Sequence, residues 1–284
     1  MAFIEIQNIA KSFRSDKGVR HVLENVNLSV EEGELVSVVG YTGSGKSTFI
    51  SIVAGLLESD SGQVQFRGAR SSGFPSRASI VFQSYSLLPW FSAMENVRLA
   101  VDANFPSWPR ERQREQAARY LEMVGLGNAF DKRPSQLSGG MRQRVAIARA
   151  FAIEPEILFL DEPFGALDAL TRANLQQELA KLCSAGGRQV TMIMITNSVQ
   201  EAILLSDRIV PMTRGPKATL GPSISVPLER PRTASQLLHD EKAVHIQSRV
   251  IEFLTGFTHG AGPARNQKPP AGALPQVKNA EAEA

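Results

Sequence analysis

The residues with the clearest chemical purpose lie in the stretch VSVVGYTGSGKSTF, where Gly40 to Ser47 fits the pattern G-x-x-x-x-G-K-[ST]. A predicted strand precedes the pattern and a predicted helix follows it, which is the context that this motif requires. Gly40, Gly43 and Gly45 allow backbone N–H groups to curl towards a phosphate, and the positive end of the helix reinforces them. The sequence therefore predicts a nucleotide-phosphate site.

Two side chains of this loop have specific predicted roles. Lys46 would reach the β- and γ-phosphates of ATP, and the Ser47 hydroxyl would ligate Mg²⁺. The other predicted nucleotide contacts are Gly40, Tyr41, Thr42, Gly43, Ser44, Gly45 and Thr48. A chance match to a short pattern is the alternative, and the flanking strand and helix argue against it.

A second acidic site is predicted in ILFLDEP. A hydrophobic strand that ends in an acid suits an Asp161 that holds Mg²⁺ through water at the sheet edge. The adjacent Glu162 is predicted to polarise a water for in-line attack on the γ-phosphate. The alternative, two acids that simply end a strand, weakens once a phosphate loop precedes them.

A third candidate, Asn197, lies in MIMITNSVQEAI. The apolar run stops at Thr196, and Ser198 with Glu201 predicts a capping box that opens a helix. Asn197 is therefore predicted in the turn after a strand, where open α/β sheets place ligand groups. On its own, Asn is simply a good turn residue.

The elements that position these residues can be predicted from short segments. Early β-prone segments are FIEIQNI, ENVNLSV, ELVSVVG, GQVQFRG and ASIVFQ, the last ending at Gln83. Helical spacing dominates from about Leu87 to about Ala152. EILFLDEP and QVTMIMIT are nearly continuous apolar strands of a buried parallel sheet. The helix between them, ending at Gly186-Gly187, completes a βαβ unit.

The C-terminal part is predicted to contain a last strand, RIVPMT, and one helix near SQLLHDEKAVHIQSRVIEFLTGF. From residue 259 onward, Gly, Pro, Ala and charged residues occur without periodicity, which predicts a disordered tail.

Composition excludes several classes of protein. The chain has 284 residues and a net charge of only +3, and no basic run contains interleaved aromatics, so no nucleic-acid partner is expected. The single Cys183 excludes an internal disulfide and a cysteine-ligated metal site. Neither a signal peptide nor about 18 continuous apolar residues can be found. A cytosolic chain is expected, joined to any membrane through a partner.

The octapeptide LSGGMRQR, Leu137 to Arg144, resembles the signature of ABC-type ATPases, and matching residues extend from Phe13 to beyond Asp207. The resemblance implies an α/β P-loop NTPase fold with a RecA-like mixed sheet core, an antiparallel β subdomain and an inserted α-helical subdomain at about 87–152. The ATPase domain would span 1–258, and 259–284 would be the tail. ATP and Mg²⁺ are the implied cofactors.

The same resemblance implies roles for further residues. Ser138, Gly139 and Gly140 precede a helix and would face the γ-phosphate bound to an opposite subunit, so ATP would close a dimer. Gln83 would reach Mg²⁺ and the attacking water. Phe13 would stack on adenine, although a lone Phe is more often a core residue.

Two more sites follow from the resemblance. Asp168, in GALD, matches a loop that contacts the opposite subunit. Asn197 stands where the family usually has a histidine that contacts the γ-phosphate. An amide can donate a hydrogen bond but cannot become cationic, so Asn197 would be a reduced γ-phosphate sensor and hydrolysis would be slower than with histidine.

Partners are implied as well. Leu88, Pro89 and Trp90 are expected on the surface, where a transmembrane permease would dock, with core packing as the alternative. A periplasmic or lipid-anchored solute-binding protein and a second ATPase subunit, identical or related, would complete the transporter. The chain would then be peripheral at the cytoplasmic face of the inner membrane.

The cargo is suggested by two segments. LLPWFSAMENV is similar to importers of nitrate, sulfonates, taurine and bicarbonate, and TNSVQEAILLSDRIVPMTRGPKATLG is most similar to the nitrate, nitrite, cyanate or bicarbonate branch. The prediction is the ATPase subunit of an anion importer, with nitrate first. Sulfonate or taurine, bicarbonate or cyanate, and a non-transport ABC clamp remain alternatives, while the full signature argues against a P-loop kinase.

Overall fold

The structure is a computed structural model that describes residues 2–16, 18–71, 73–165, 167–185, 190–230 and 232–256. Its strands are β1 (Ile4–Ser15), β2 (Gly18–Val30), β3 (Leu35–Val39), β4 (Ser61–Phe66), β5 (Ala69–Arg70), β6 (Ala78–Val81), β7 (Ile157–Asp161), β8 (Thr191–Thr196), β9 (Arg208–Pro211) and β10 (Ile224–Ser225). Its helices are α1 (Lys46–Val53), α2 (Ala93–Asn104), α3 (Arg110–Met123), α4 (Gly139–Phe151), α5 (Ala169–Ala185), α6 (Val199–Leu205), α7 (Ala234–Leu237) and α8 (Glu241–Gly256).

Two sheets form the framework. The larger has the order β10-β9-β3-β8-β7-β6. Four of its five pairings are parallel, and β10 runs antiparallel to β9. The smaller sheet, β2-β1-β4-β5, is antiparallel. Every residue of β3 and β8 is buried, which explains their continuous apolar sequences.

The core lies on both faces of the parallel sheet. One cluster joins its Leu158, Leu160 and Met194 to α2, α3, α4 and α5, and a second joins the opposite face to α1 and the antiparallel sheet. A third, smaller cluster lies between α6, α8 and β9. This packing brings the carboxyl ends of β3, β7 and β8 to one edge, where open α/β sheets bind ligands.

Several local expectations need correction. The strand predicted to end at Gln83 ends at Val81, so Gln83 lies in the loop beyond it. The single C-terminal helix is two helices, because Asp240 accepts a hydrogen bond from Ala243 N (3.0 Å) and starts α8 anew. The predicted helix end at Gly186-Gly187, and the predicted tail at 259–284, lie outside the described residues. Within the described ranges, no helix is long and apolar enough to cross a membrane.

Candidate functional site

The predicted phosphate loop connects β3 to α1. Gly45 precedes the first helical residue with φ 105° and Gly43 has φ 80°, backbone conformations that side chains with a Cβ rarely adopt. A Cβ at Gly45 would also lie 2.9 Å from Val22 Cγ1 of β2. The loop therefore needs glycine both for its curvature and for its contact with the antiparallel sheet.

Lys46 is the charged centre of the loop. Its side chain is almost fully buried, yet Nζ donates to the carbonyls of Gly40 and Tyr41, each at 3.0 Å. The same Nζ lies 3.2 Å from Glu162 Oε1. A buried cation is stable only when it is paired and hydrogen-bonded, and Lys46 meets both conditions. Its ammonium group thus joins the loop to the acid at the end of β7.

Ser47 and Asp161 form a second contact at this edge. Ser47 Oγ donates to Asp161 Oδ1 at 3.2 Å. Burial raises the pKa of Asp161, and the neighbouring Glu162 charge adds to this, while Ser47 and Lys46 oppose it. A hydroxyl and a carboxylate side by side are the hard oxygen donors that Mg²⁺ prefers, so these residues fit the ion.

Glu162 is held in a strained backbone conformation. Its φ is 44°, which is uncommon for a residue with a side chain and costs on the order of 1–3 kcal/mol. Its N–H donates to Ile195 O of β8 (3.0 Å) and its carbonyl accepts from Gly165 N (3.1 Å). Gln83 Nε2 approaches Glu162 Oε2 at 3.4 Å. The structure thus gathers Lys46, Gln83 and Glu162 around one point.

Asn197 is exposed in the turn between β8 and α6. The turn is tied to the phosphate loop, because Gly40 N donates to Thr196 O at 3.4 Å. Ser198 does cap α6, accepting from Glu201 N at 3.3 Å. The capping box is nevertheless wrong in its second half, since the Glu201 carboxylate accepts from Thr196 Oγ1 (2.6 Å) instead of from the Ser198 N–H.

The signature segment begins α4. Ser138 is exposed, and its Oγ accepts from Met141 N at 3.2 Å, which caps the helix. Gly140 is pressed against α5, because a Cβ there would lie 2.3 Å from Thr171 Cγ2. Asp168 lies in the loop before α5 and caps the N-terminus of this helix, because its Oδ1 accepts from Thr171 N (3.0 Å). This hydrogen bond lowers the pKa of Asp168.

The segment after Gln83 is fixed by Arg149, a residue that the motifs did not indicate. Tyr85 and Ser86 both have positive φ, 64° and 47°. Arg149 of α4 donates to their carbonyls, at 2.9 Å and 2.7 Å, and burial lowers the pKa of its guanidinium. Arg149 therefore connects the Gln83 loop to the helix that begins with the signature.

Phe13 lies on the antiparallel sheet and is 41% exposed, so the alternative of a core residue is wrong. Its neighbour Lys11 pairs with Leu23 in the β1–β2 register, and Leu23 is beside Gly45. Phe13 thus lies on β1, two residues beyond the point where the antiparallel sheet contacts the phosphate loop. Lys11 Nζ is 5.6 Å from the Phe13 ring centroid.

The expected docking segment is only partly exposed. Trp90 is 62% exposed and Pro89 is exposed, but Leu88 is half-buried, which corrects the expectation for that residue. The buried Asn96 anchors the segment: Oδ1 accepts from Leu88 N (2.8 Å), and Nδ2 donates to the carbonyls of Leu88 and Phe91, both at 3.2 Å. Sequence patterns gave no indication of Asn96.

The parallel sheet, the phosphate loop, the acid pair Asp161 and Glu162, and the signature segment at the start of α4 together define a P-loop ATPase of the ABC type. The ABC transporter family profile matches residues 23–165. The chain is 44% identical to the bicarbonate transport ATP-binding protein CmpD of Synechocystis sp., over 91% of both chains. It is 44% identical to the nitrate import ATP-binding protein NrtD of Synechococcus elongatus, over 89% of this chain and 91% of that one.

A third relative is the nitrate transport protein NasD of Klebsiella oxytoca, 42% identical over 88% of this chain and 95% of that one. Among solved structures, the dimeric post-hydrolysis ATP-binding cassette MJ0796 with ADP and Pi has a TM-score of 0.71 and 30% identity, over 80% of this chain and 100% of that one. The chain therefore belongs to the ABC transporter family. The predicted fold class is confirmed, and the protein is an ATPase that couples hydrolysis to transport.

Proposed function

We propose that this chain is the ATP-hydrolysing subunit of an importer of an inorganic anion, with nitrate as the first candidate. Relatives named for nitrate and for bicarbonate are equally similar, at 44% identity each, so identity alone does not separate the two cargoes. The segment 196–221 resembles the branch that carries nitrate, nitrite, cyanate or bicarbonate, and within this branch we place nitrate first. The observation that supports the ATPase role is the contact of Lys46 Nζ with Glu162 Oε1 at 3.2 Å.

In the proposed mechanism, the β- and γ-phosphates bind to the N–H groups of the loop and to Lys46. Phosphate oxygens then compete with Glu162 for the Lys46 ammonium, which releases the carboxylate for the attacking water. Ser47, Asp161 and Gln83 would hold Mg²⁺, which supplies charge neutralisation to the phosphate oxygens. Phe13 would stack on the adenine.

Hydrolysis proceeds by in-line attack. Glu162 orients the water and accepts its proton, the water oxygen bonds to the γ-phosphorus, and the bond to the β,γ-bridging oxygen breaks, which leaves ADP and inorganic phosphate; Glu162 then returns the proton to the phosphate or to solvent. Gln83 holds the water, and Asn197 donates a hydrogen bond to a γ-phosphate oxygen. The partner chain supplies the Ser138 hydroxyl and the N–H groups of Gly139 and Gly140 from the opposite side.

Closure of two such chains would carry the movement to the membrane. The exposed Pro89 and Trp90 would contact the permease, and the hydrogen bonds from Asn96 to the backbone of this segment would hold it in place against α2. Asp168 would contact the second ATPase subunit. A solute-binding protein would deliver the anion, and the chain would lie at the cytoplasmic face of the inner membrane.

The cargo is tested with the chain, its permease and the solute-binding protein reconstituted in proteoliposomes. Nitrate should stimulate ATP hydrolysis more than nitrite, bicarbonate, cyanate or taurine at equal concentration. Stimulation by bicarbonate or taurine alone would overturn the nitrate assignment. ATP hydrolysis that no permease alters would favour a non-transport clamp.

The ATP-closed dimer is tested with Glu162→Gln, which keeps the side-chain shape but removes the base. This variant should hydrolyse ATP at least about a hundredfold more slowly and sediment as a dimer in saturating ATP. The matched control is Glu156→Gln, because Glu156 pairs with Arg67 and Arg77 away from the phosphate loop. A Glu162→Gln chain that stays monomeric with ATP and permease present would refute the proposed sandwich.

A further inference from the structure

The mechanism above does not use Glu201, a carboxylate that is only 6% exposed. It lies in the first turn of α6, behind the turn that carries Asn197. Burial raises its pKa, while hydrogen bonds from Thr196 and Gln176 and the charge of Arg172 oppose this effect. A carboxylate is costly to bury, so its partners indicate what it does.

On one side, Glu201 fixes the turn around Asn197. Thr196 Oγ1 donates to Glu201 Oε2 at 2.6 Å and accepts from Ser198 N at 3.0 Å. The Thr196 hydroxyl has one proton, and it donates this proton to the Glu201 carboxylate. The oxygen therefore presents a lone pair to the Ser198 N–H. One hydroxyl therefore clamps the residues immediately before and after Asn197.

On its other side, Glu201 faces α5. Oε1 accepts from Gln176 Nε2 at 3.3 Å and lies 3.8 Å from Arg172 Nε. Arg172 Nη2 donates to Leu167 O at 3.0 Å, next to Asp168. Glu201 thus lies between the Asn197 turn and the loop that begins α5.

We propose that Glu201 is a positioning residue that holds the Asn197 amide in place for the γ-phosphate and couples this turn to the Asp168 loop. The inference rests on the proposed contact of Asn197 with the γ-phosphate. A donor that is already in place at the phosphate requires no reorganisation during hydrolysis. Loss of the clamp lets the turn relax, and the Asn197 amide loses its alignment.

The first test is Glu201→Gln, measured alone and with Asn197→Ala. A glutamine keeps one acceptor oxygen but replaces the other with an NH₂ group, so it cannot accept from both Thr196 and Gln176. The kcat for ATP should fall about tenfold with KM changed less than about twofold. With Asn197→Ala already present, the same substitution should lower kcat by less than about twofold, because the residue it positions is gone.

Equal fold-changes in the two backgrounds would overturn the inference while leaving the role of Asn197 intact. If Asn197→Ala alone leaves hydrolysis unchanged, the proposed role of Asn197 fails, and the inference fails with it. Failure of the unsubstituted chain to bind and hydrolyse ATP would instead contradict the proposed function. Glu156→Gln, a carboxylate outside this network, should leave kcat unchanged.

A second pair of variants decides the matter if Glu201→Gln does not fold. Thr196→Ser keeps the clamping hydroxyl, whereas Thr196→Val keeps the shape and removes it. Thr196→Ser should retain at least about half of the kcat, and Thr196→Val should lose about tenfold. Equal activity of the two variants would overturn the inference, because the hydroxyl would then have no role in hydrolysis.

Discussion

Gly140 offers a test in which packing and chemistry can be separated. A Cβ at this residue would lie 2.3 Å from Thr171 Cγ2, and the next nearest atoms, Thr171 Cβ and Oγ1, would be at 3.6 and 3.7 Å. A single methyl group of α5 therefore accounts for the whole clash. Thr171→Ser removes that methyl group and keeps the hydroxyl.

The expected stability change reverses sign between the two backgrounds. In the chain with Thr171, Gly140→Ala should overpack the α4–α5 contact, which lowers the free energy of unfolding by about 1–3 kcal/mol. The higher helix propensity of alanine offsets this loss by about 0.5–1 kcal/mol. We expect a net loss of about 1–2 kcal/mol. With Thr171→Ser present the clash is gone, so the same substitution should stabilise the protein by about 0.5 kcal/mol. Urea unfolding of the four chains, followed by circular dichroism, measures the difference.

Equal destabilisation in both backgrounds would refute the packing argument. ATP hydrolysis provides the second measurement, because the Cβ added at Gly140 points towards Thr171, whereas the proposed contact with a partner's γ-phosphate uses the Gly140 N–H. Gly140→Ala alone should therefore lower hydrolysis by displacing α4, and Thr171→Ser should restore hydrolysis together with stability. If hydrolysis stays lost in the stable double variant, the α4–α5 contact does not account for the need for glycine at this residue.

Three further outcomes are expected. Asn197→His should raise kcat severalfold, by about 2- to 10-fold, because a cationic ring binds the γ-phosphate more strongly than an amide; an unchanged or lower kcat in steady-state assays would remove the sensor hypothesis. Arg232→Lys should lower the free energy of unfolding by about 3 kcal/mol or more, because the guanidinium makes five hydrogen bonds to carbonyls and an ammonium has three donors; a loss below about 1 kcal/mol in urea would contradict this. Asp60 has its pKa lowered from 3.8 to about 2, mainly by the Ser12 hydroxyl. The ionised Asp60 carboxylate therefore stabilises the fold above pH 3.8, and this contribution is lost as the pH falls through about 2. Over that pH range, the urea midpoint of the Asp60→Asn variant should vary less than that of the unsubstituted chain.

The phosphate loop and the acid pair could be located from the sequence because their chemistry is local. Glycines, a lysine and a strand end follow one another within a few residues, and parallel strands then bring their carboxyl ends together. The register of β3, β7 and β8, in which Val38 and Asp161 both pair with Ile195, does this in the structure. The roles assigned to these residues remain predictions.

The C-terminal helix shows where periodicity misleads. Apolar residues recur at helical spacing through the whole segment, so the sequence predicts one helix. Asp240 interrupts it by accepting from the backbone of Ala243, which an Asp ahead of helix-forming residues could have indicated. The exposed Leu238, at 69%, lies at this break.

The capping-box error has a different cause, because the spacing is correct but the carboxylate binds other donors. Ser198 and Glu201 are three residues apart, yet the Glu201 carboxylate turns inward, where Thr196 Oγ1 donates to one oxygen (2.6 Å) and Gln176 Nε2, 25 residues earlier in the chain, donates to the other (3.3 Å). Capping-box spacing carries no information on these donors. The contacts that make the prediction wrong are the ones from which the positioning role of Glu201 is inferred.

The helix that follows Asn197 depends on distant contacts at both ends. With seven residues, α6 is too short to be stable alone. Glu201 fixes its first turn, and Arg232 donates to the carbonyls of Ile203 and Ser206 at its last turn, both at 2.7 Å. Positive charge at a helix C-terminus is favourable, and burial still lowers the pKa of Arg232 to about 10. The placement of the proposed γ-phosphate sensor thus depends on Glu201 and Arg232, neither of which belongs to a nucleotide-binding motif, and substitutions there should alter hydrolysis although neither residue is proposed to contact the nucleotide.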